Sequence, residues 1–446
     1  KTLVKIRGLH KVLKEFSSNE KTAVQGRFAG TANPKNRRDW TFEGSFEGTD
    51  IRYKDVPAKR ARVDLDLAHG RLDFRDGEVV FDYADYALRE RRDGPPSGKV
   101  NVDLIRYDRT SETVTINGLT GQAWPAPILR TFTTGVADHL ENYGFHSTPR
   151  LRAEGVVGVK GGRPKQNLLI TFSSTSPIDY EFLGKPLTLN APEGRVRVLP
   201  ETVQIKDLSL GGFDGLIRME LDAPTKGSAG ISGEIDWTEL ALPKISDAYG
   251  FDASPEGQIT GRLEFRMSGR SVGGLNGEGH VALEDAELFD VPVFGPLSPV
   301  IATVLGNRKA GFQEAQSAFC SFEIADGIFA TEDFLTTTPS LIFTGDGKAD
   351  LEDKEINMTI RMNARGFLGI ITLPLRPFYG LFQFRGTGPI EDPEWENVIF
   401  TSPPPGQKEN LLAPPKARAV PAGQGQKARP RTTSPPGRSR ISPPKR

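Results

Sequence analysis

A chain of 446 residues with 37% hydrophobic content is long enough for two or three compact domains or one elongated repeat body, and too apolar for a disordered protein. Its 57 basic and 57 acidic residues cancel, and the single cysteine, Cys320, excludes an intramolecular disulfide framework. No uninterrupted apolar run of about eighteen residues occurs, the length a spanning helix needs.

Strand patterns begin early. Trp40, Phe42, Gly44, Phe46 and Gly48 alternate with polar residues, as do Val63, Leu65 and Leu67, then Val100, Val102 and Leu104. Residues 126–140 read as a short helix entered through Pro127, where the missing N–H costs little. Residues 142–155 then line up with residues 248–261, Tyr143 falling on Tyr249, and the second copy also follows a short helical pattern, over 242–249. A strand-pair segment recurs too: 50–57 resembles 286–292, and 178–186 is a looser copy. The second half alternates more cleanly, in Ile217-Met219-Leu221, Ile231-Gly233-Ile235-Trp237, Ile259-Gly261-Leu263-Phe265-Met267 and Ile356-Met358-Ile360-Met362. Each run has one wet and one dry face, as in an antiparallel sheet. Glu193-Gly194, Gly211-Gly212, Gly273-Gly274 and Asp346-Gly347 read as hairpin turns between the runs.

A third short helix is expected after Pro299, with Leu297, Val300, Ile301 and Val304 on one face and Gly306 as its stop. It reads as a plug at the end of a core or as an interfacial membrane helix, and the near absence of basic residues on its polar face favours the plug. The stretch 367–382 is amphipathic and rich in proline. Phe367, Leu368, Ile371, Leu375, Arg376, Phe378 and Phe382 are its membrane-proximal candidates, with core packing as the other reading. A final strand follows, in which Phe382, Phe384, Gly386 and Gly388 alternate with Gln383, Arg385 and Thr387 until Pro389 and Asp392-Pro393 stop the pairing. The sequence thus divides into β-rich units at 1–150 and 151–258, a β region at 259–402 and a tail at 403–446. The tail holds Lys408, Lys416, Arg418, Lys427, Arg429, Arg431, Arg438, Arg440, Lys445 and Arg446 against Glu409 alone, among Pro, Gly and Ser, and is expected to be disordered. It reads as a solubilising linker or as a contact to an anionic surface; nucleic acid is not expected, because no aromatic residues interleave with the charges.

No catalytic constellation emerges. His10, His69, His139, His146 and His280 are scattered, and neither a nucleophile elbow nor a phosphate-binding or dinucleotide loop occurs. The carboxylate clusters Glu284-Asp285-Glu287 and Glu352-Asp353-Glu355 fall at expected turns and read as solvated surface. Cys320 sits in an alternating strand without a nearby histidine and reads as a small buried apolar group. Catalytic residues, metal ligands and cofactors are therefore all expected to be absent.

The closing string from Leu373 to Trp395 combines Leu-Pro-Leu with a strand ending in Gly386-Thr387, Asp392-Pro393 and Trp395. With the segments 283–292 and 349–357, it resembles the C-terminal region of AsmA-like envelope proteins, most fully over 259–395. The resemblance implies a mostly β protein: an elongated, twisted antiparallel sheet curled into a groove, built from about three repeat units with short helices between them. It further implies a non-enzymatic protein of the periplasm, held at the inner membrane by an N-terminal segment absent from this chain, moving phospholipid in outer-membrane biogenesis. Ile217, Met219, Leu221, Ile259, Leu263, Phe265, Val281, Leu283, Phe343, Ile356, Met358, Ile360 and Met362 would line such a groove; packing in an ordinary sandwich core is their other reading. Expected partners are phospholipid or another acyl lipid, a membrane surface and envelope proteins. The alternative is an envelope assembly scaffold that binds proteins through its sheet edges.

Overall fold

The computed structural model describes residues 15–33, 39–54, 56–83, 97–130, 141, 143–182, 185–225, 230–250, 256–269, 271–286, 293–304, 317–338, 341–364 and 382–398. The first half of the chain contributes β1 (Phe16–Thr31), β2 (Thr41–Tyr53), β3 (Val56–Ala68), β4 (Arg71–Asp82), β5 (Ser97–Asp108), β6 (Thr113–Gln122), β7 (Gly144–Phe145), β8 (Arg150–Gly158), β9 (Asn167–Ser173), β10 (Ile178–Phe182) and β11 (Lys185–Val198). The second contributes β12 (Thr202–Gly212), β13 (Gly215–Pro224), β14 (Ile231–Ala241), β15 (Gln258–Met267), β16 (Leu275–Glu284), β17 (Ser317–Ala325), β18 (Ile328–Thr337), β19 (Leu341–Asp350), β20 (Glu355–Ala364), β21 (Phe382–Pro389) and β22 (Glu394–Val398). Among the described residues three short helices, α1 (Pro125–Arg130), α2 (Leu242–Tyr249) and α3 (Leu297–Val304), interrupt the strands.

All 22 strands belong to one antiparallel sheet. β7 and β10 form a flap on the first half of β11, where Ile178 faces Phe145 on one side and Leu189 on the other. With the flap set aside, each strand pairs with the next in sequence from β1 to β22, across both 150/151 and 258/259. Among the described residues nothing pairs β22 back to β1, so the sheet is an open, elongated meander and not a barrel.

The meander has two unlike rims. Antiparallel neighbours reverse direction at each step, so every second connection falls on the same side. The connections 83–96, 123–149, 174–184, 242–257, 285–316 and 365–381 all leave from one rim, and the turns on the other rim are shorter than any of them. The long rim carries α1, α2, α3 and the β7–β10 flap. Each helix joins two paired neighbours, β6 to β8, β14 to β15 and β16 to β17, which is the recurring unit visible in the sequence. The segments 50–57 and 178–186 also correspond, as the β2–β3 and β10–β11 hairpins of the long rim; residues 287–292 lie outside the described residues.

Curling is shown by hydrogen bonds between turns of the short rim. In a flat sheet the β15–β16 and β19–β20 turns would stand four strand spacings apart, about 19 Å at about 4.8 Å each. Instead Ser271 Oγ donates to Glu352 Oε1 at 2.8 Å. The turn between them joins in: Gly327 N donates to Leu275 O at 2.9 Å and Leu351 N to Gly327 O at 3.0 Å. Bulges supply the bending. At the bulge in β18, Asp333 accepts from the backbone N and the hydroxyl of Ser321, at 2.8 and 2.5 Å, so the Ser321 N–H keeps an acceptor where the ladder is interrupted.

Several expectations are corrected. The strand Phe382–Pro389 is not the last: Asp392-Pro393 turns the chain back, and β22 pairs with β21, Trp395 facing Gly386. Five residues bounded by proline are too short to register as a separate period-two run. Glu193-Gly194 and Asp346-Gly347 are not turns but lie inside β11 and β19. Gly194 is there because Leu208 and the Phe172 ring lie over it, and Gly347 because the Met358 backbone does. Val100 and Val102 share a face, but β4 holds an extra residue against β3 between Arg75 and Glu78 and β5 stays in step with β4, so Ile105 and Tyr107 continue that face and Leu104 leaves it. Of the helix expected over 126–140, the part within Pro125–Arg130 is present, and 131–140 lie outside the described residues.

Candidate functional site

Residues directly opposite in an antiparallel pair share a face, so the register decides which side chains line the concave side. One rung runs Gly44, Leu65, Phe74, Ile105, Ile116, Gly155, Leu168, Val198, Val203 and Ala223, from β2 to β13. A second runs Ile205, Leu221, Gly233, Phe265, Gly277, Ile324, Phe329, Ala349, Ile356 and Gly388, from β12 to β21. Neither contains a charged residue. The two overlap, so a single apolar face extends along the sheet.

All thirteen residues expected to line a groove lie on this face. They do not share one environment. Phe343, Ile356, Ile360 and Met362 are fully buried in a core with Phe384, Trp395 and the α3 residues Leu297 and Ile301, and Val281, Leu283 and Met358 pack against it. Those seven fit the core-packing reading. Ile217 and Met219 border a second core at the long rim, built around Phe81, Tyr83, Trp124, Phe145, Ile178, Leu187 and Leu189. Leu221, Ile259, Leu263 and Phe265 belong to neither core and are half-buried. These four, with Ile235 and Met267 on the same face, form a trough between the two cores that neither core covers among the described residues.

α3 acts as the plug. Leu297 and Ile301 are buried, the Phe294 ring just before it stacks on Phe334 at 5.3 Å, and Trp395 Nε1 donates to Val293 O at 3.2 Å. Trp395 is therefore a core residue. Of the membrane-proximal candidates, Phe382 opens β21 opposite Met362 and packs at the margin of this core. Phe367, Leu368, Ile371, Leu375, Arg376 and Phe378 lie outside the described residues. Cys320 faces the same core, its thiol pushed up to about 12 chiefly by burial, and is the small apolar filler expected.

The convex face carries charge. Arg106 makes two hydrogen bonds of 2.7 Å to Asp73, holding that carboxyl below its usual range against the opposing effect of burial. On β13 to β17, Glu220, Glu234, Glu264, Glu278 and Glu323 stand directly opposite one another in one rung. Lys206 pairs with the first at 2.7 Å and Arg262 with the second at 2.5 Å. At the C-terminal end this face is buried too: Thr344, Arg361 and Gln383 form a sequestered row, Arg361 paired with Asp346.

Among the described residues no group of three or more His, Cys, Asp or Glu side chains is placed to hold a metal ion. His146 pairs with Asp179 at 2.9 Å, and Thr188 donates to the same carboxylate at 2.8 Å, which clips the flap to β11. Glu352 and Asp353 are exposed at a turn, as expected of solvated surface. Open clefts of about 470 and 400 Å³ lie at strand ends on the short rim, not in the trough. No described helix is long and apolar enough to cross a membrane.

Sequence reasoning missed the half of the apolar face formed by β2 to β9, although Phe42, Phe46, Val63 and Leu65 were visible as alternation. The signal that joins them is the cross-strand register, which bulges shift by one residue at β3–β4 and β6–β8. The architecture and the trough define a class: an open antiparallel sheet with one continuous dry face, capped at one end. No family model, no curated protein and no solved structure matches this chain.

Proposed function

We propose that the trough between the two cores holds the acyl chain of a phospholipid or related lipid, and that the chain is a non-enzymatic lipid carrier or conduit of the cell envelope. The observation that carries this reading is the pair of uncharged rungs, whose stretch at Leu221, Leu263 and Phe265 is apolar and belongs to neither core. Burial of each methylene contributes about 0.8 kcal/mol. About ten methylenes in the trough would thus supply roughly 8 kcal/mol before ordering costs. The resemblance of the closing string to AsmA-like proteins supports a periplasmic setting, attachment at the inner membrane and a role in outer-membrane biogenesis. A scaffold that recruits proteins through a sheet edge is the second reading, favoured by the outer edge of β1, which has no partner strand among the described residues.

The test is lipid extraction and native mass spectrometry of the purified protein, combined with a photo-crosslinking amino acid at Phe265 or at Phe343. Co-purified lipid that crosslinks from 265 and not from 343 is expected. The Phe265→Asp variant should remain folded and lose the lipid. Lipid-free protein that takes up no acyl chain from vesicles would sink the proposal.

A further inference from the structure

We propose that two copies of this chain pair through β1, antiparallel and centred on Gly26, so that their apolar faces join into one. Every residue from Ala23 to Asn33 is exposed. Val24 at 58% and Phe28 at 43% are the most exposed large hydrophobic residues among those described, and both stand on the apolar face. Residues 23–31 pair with 41–49 of β2 without a bulge, so the outer edge of β1 offers a regular ladder with no partner strand among the described residues. Neither a charge on the apolar side nor a proline blunts that edge.

The other end of the sheet is built differently. β22 has 5 residues, carries Glu394 and Glu396, and is held against the α3 region through Trp395. Head-to-tail addition of β1 to that edge gains a much shorter ladder, so the edge of β1 is matched best by itself, in the self-complementary way of two-fold interfaces. A two-fold axis normal to the sheet keeps both apolar faces on one side. Only registers that place like faces together survive the pleat. Centring on Gly26 sets Val24 against the partner's Phe28, Gly26 against the partner's Gly26 and Ala23 against the partner's Ala29. On the convex side it sets Gln25 against the partner's Arg27. Moving the centre to Arg27 would oppose two guanidinium groups. The inference does not depend on what the trough carries.

One site tests both the pairing and its register. Gln25→Glu places a carboxylate opposite each partner's Arg27 and should tighten the dimer, whereas Gln25→Arg opposes like charges and should loosen it, each by about two- to thirty-fold over the two symmetric pairs. Sedimentation velocity across a concentration series reads both. Neither change touches the apolar face, so circular dichroism should match the parent. The double variant Gln25→Cys with Arg27→Cys should form an intermolecular disulfide dimer on mild oxidation, because directly opposed positions lie within bridging reach. A chain that stays monomeric at about 100 µM, far above the range of ordinary specific dimers, overturns the proposal. So does a dimer indifferent to both Gln25 changes and without the disulfide.

Discussion

The C-terminal end of the sheet, β16 to β22, and the stretch from β13 to β15 are built from the same alternation on the same face, yet one is a core and the other a trough. Phe343, Ile360, Met362 and Phe384 are at most 1% exposed, while Leu221, Leu263 and Phe265 are half-buried. The strands do not explain the difference; the connections do. The β16–β17 connection brings Phe294, Leu297 and Ile301 over the apolar face, and the turns at Ser271, Gly327 and Glu352 draw the short rim together. The β12–β13 connection is a tight turn, and α2 on the β14–β15 connection packs against β11 and β14 at the margin of the second core. Strand pattern sets which face is dry, and what the connections place over that face decides whether it becomes core or site.

The largest expected effect tests this division directly. Ile360→Ala removes buried atoms from a closed core and should cost about 2–5 kcal/mol, whereas Leu263→Ala in the trough should cost about 1 kcal/mol or less. Urea denaturation of the two variants, in lipid-depleted protein, gives the comparison. Equal losses would mean that the trough is as tightly covered as the plugged end.

Much of the fold was legible in the sequence, and the reason is local. Runs such as Ile356-Met358-Ile360-Met362 fix strand, face and period within themselves, and Pro243 near the start of the 242–249 helix fixes its entry. The thirteen lining residues were all placed on one face for the same reason. Their division into seven core residues, two margin residues and four trough residues was not legible, because it depends on α3 and on contacts such as Ser271 to Glu352, 81 residues apart. Alternation cannot tell a dry face that is covered from one that is open. Gly347 and Gly194 misled for a related reason: a glycine that makes room for a neighbouring strand looks, in sequence, like one that makes a turn.

A smaller effect asks whether the two regions are built alike at the level of the strand. Gly386 in the plugged end and Gly261 near the trough each lie under an indole. A Cβ on Gly386 would stand 2.6 Å from the Trp395 ring, and one on Gly261 2.4 Å from the Trp237 ring. Gly386→Ala and Gly261→Ala should each cost about 1–3 kcal/mol through overpacking, in similar measure. Thermal unfolding reads both. A large cost at 386 with none at 261 would show that Trp237 moves freely in an open trough, which would sharpen the contrast.

The smallest effect concerns the convex side of the trough, where like charges directly opposite each other oppose pairing. Glu234 is held above the usual carboxylate value of 4.5, first by burial and then by its hydrogen bond with Asp236. A raised carboxyl contributes stability that is fully present below 4.5 and lost as pH rises through the raised value. Asp73 behaves in the opposite sense: its lowered value contributes above 3.8 and is lost as pH falls through it. Mild acidification should therefore strengthen the trough strands before it weakens the β4–β5 pair. Glu264→Gln removes the charge standing between Glu234 and Glu278 and should stabilise the protein at pH 7 by about 0.2–1 kcal/mol. The gain should shrink toward pH 4.5 and also near 1 M salt, where the screening length falls to about 3 Å. A gain unchanged by salt and pH would mean that the glutamate rung exerts no repulsion, and that the trough strands are as free of stored charge as the plugged end.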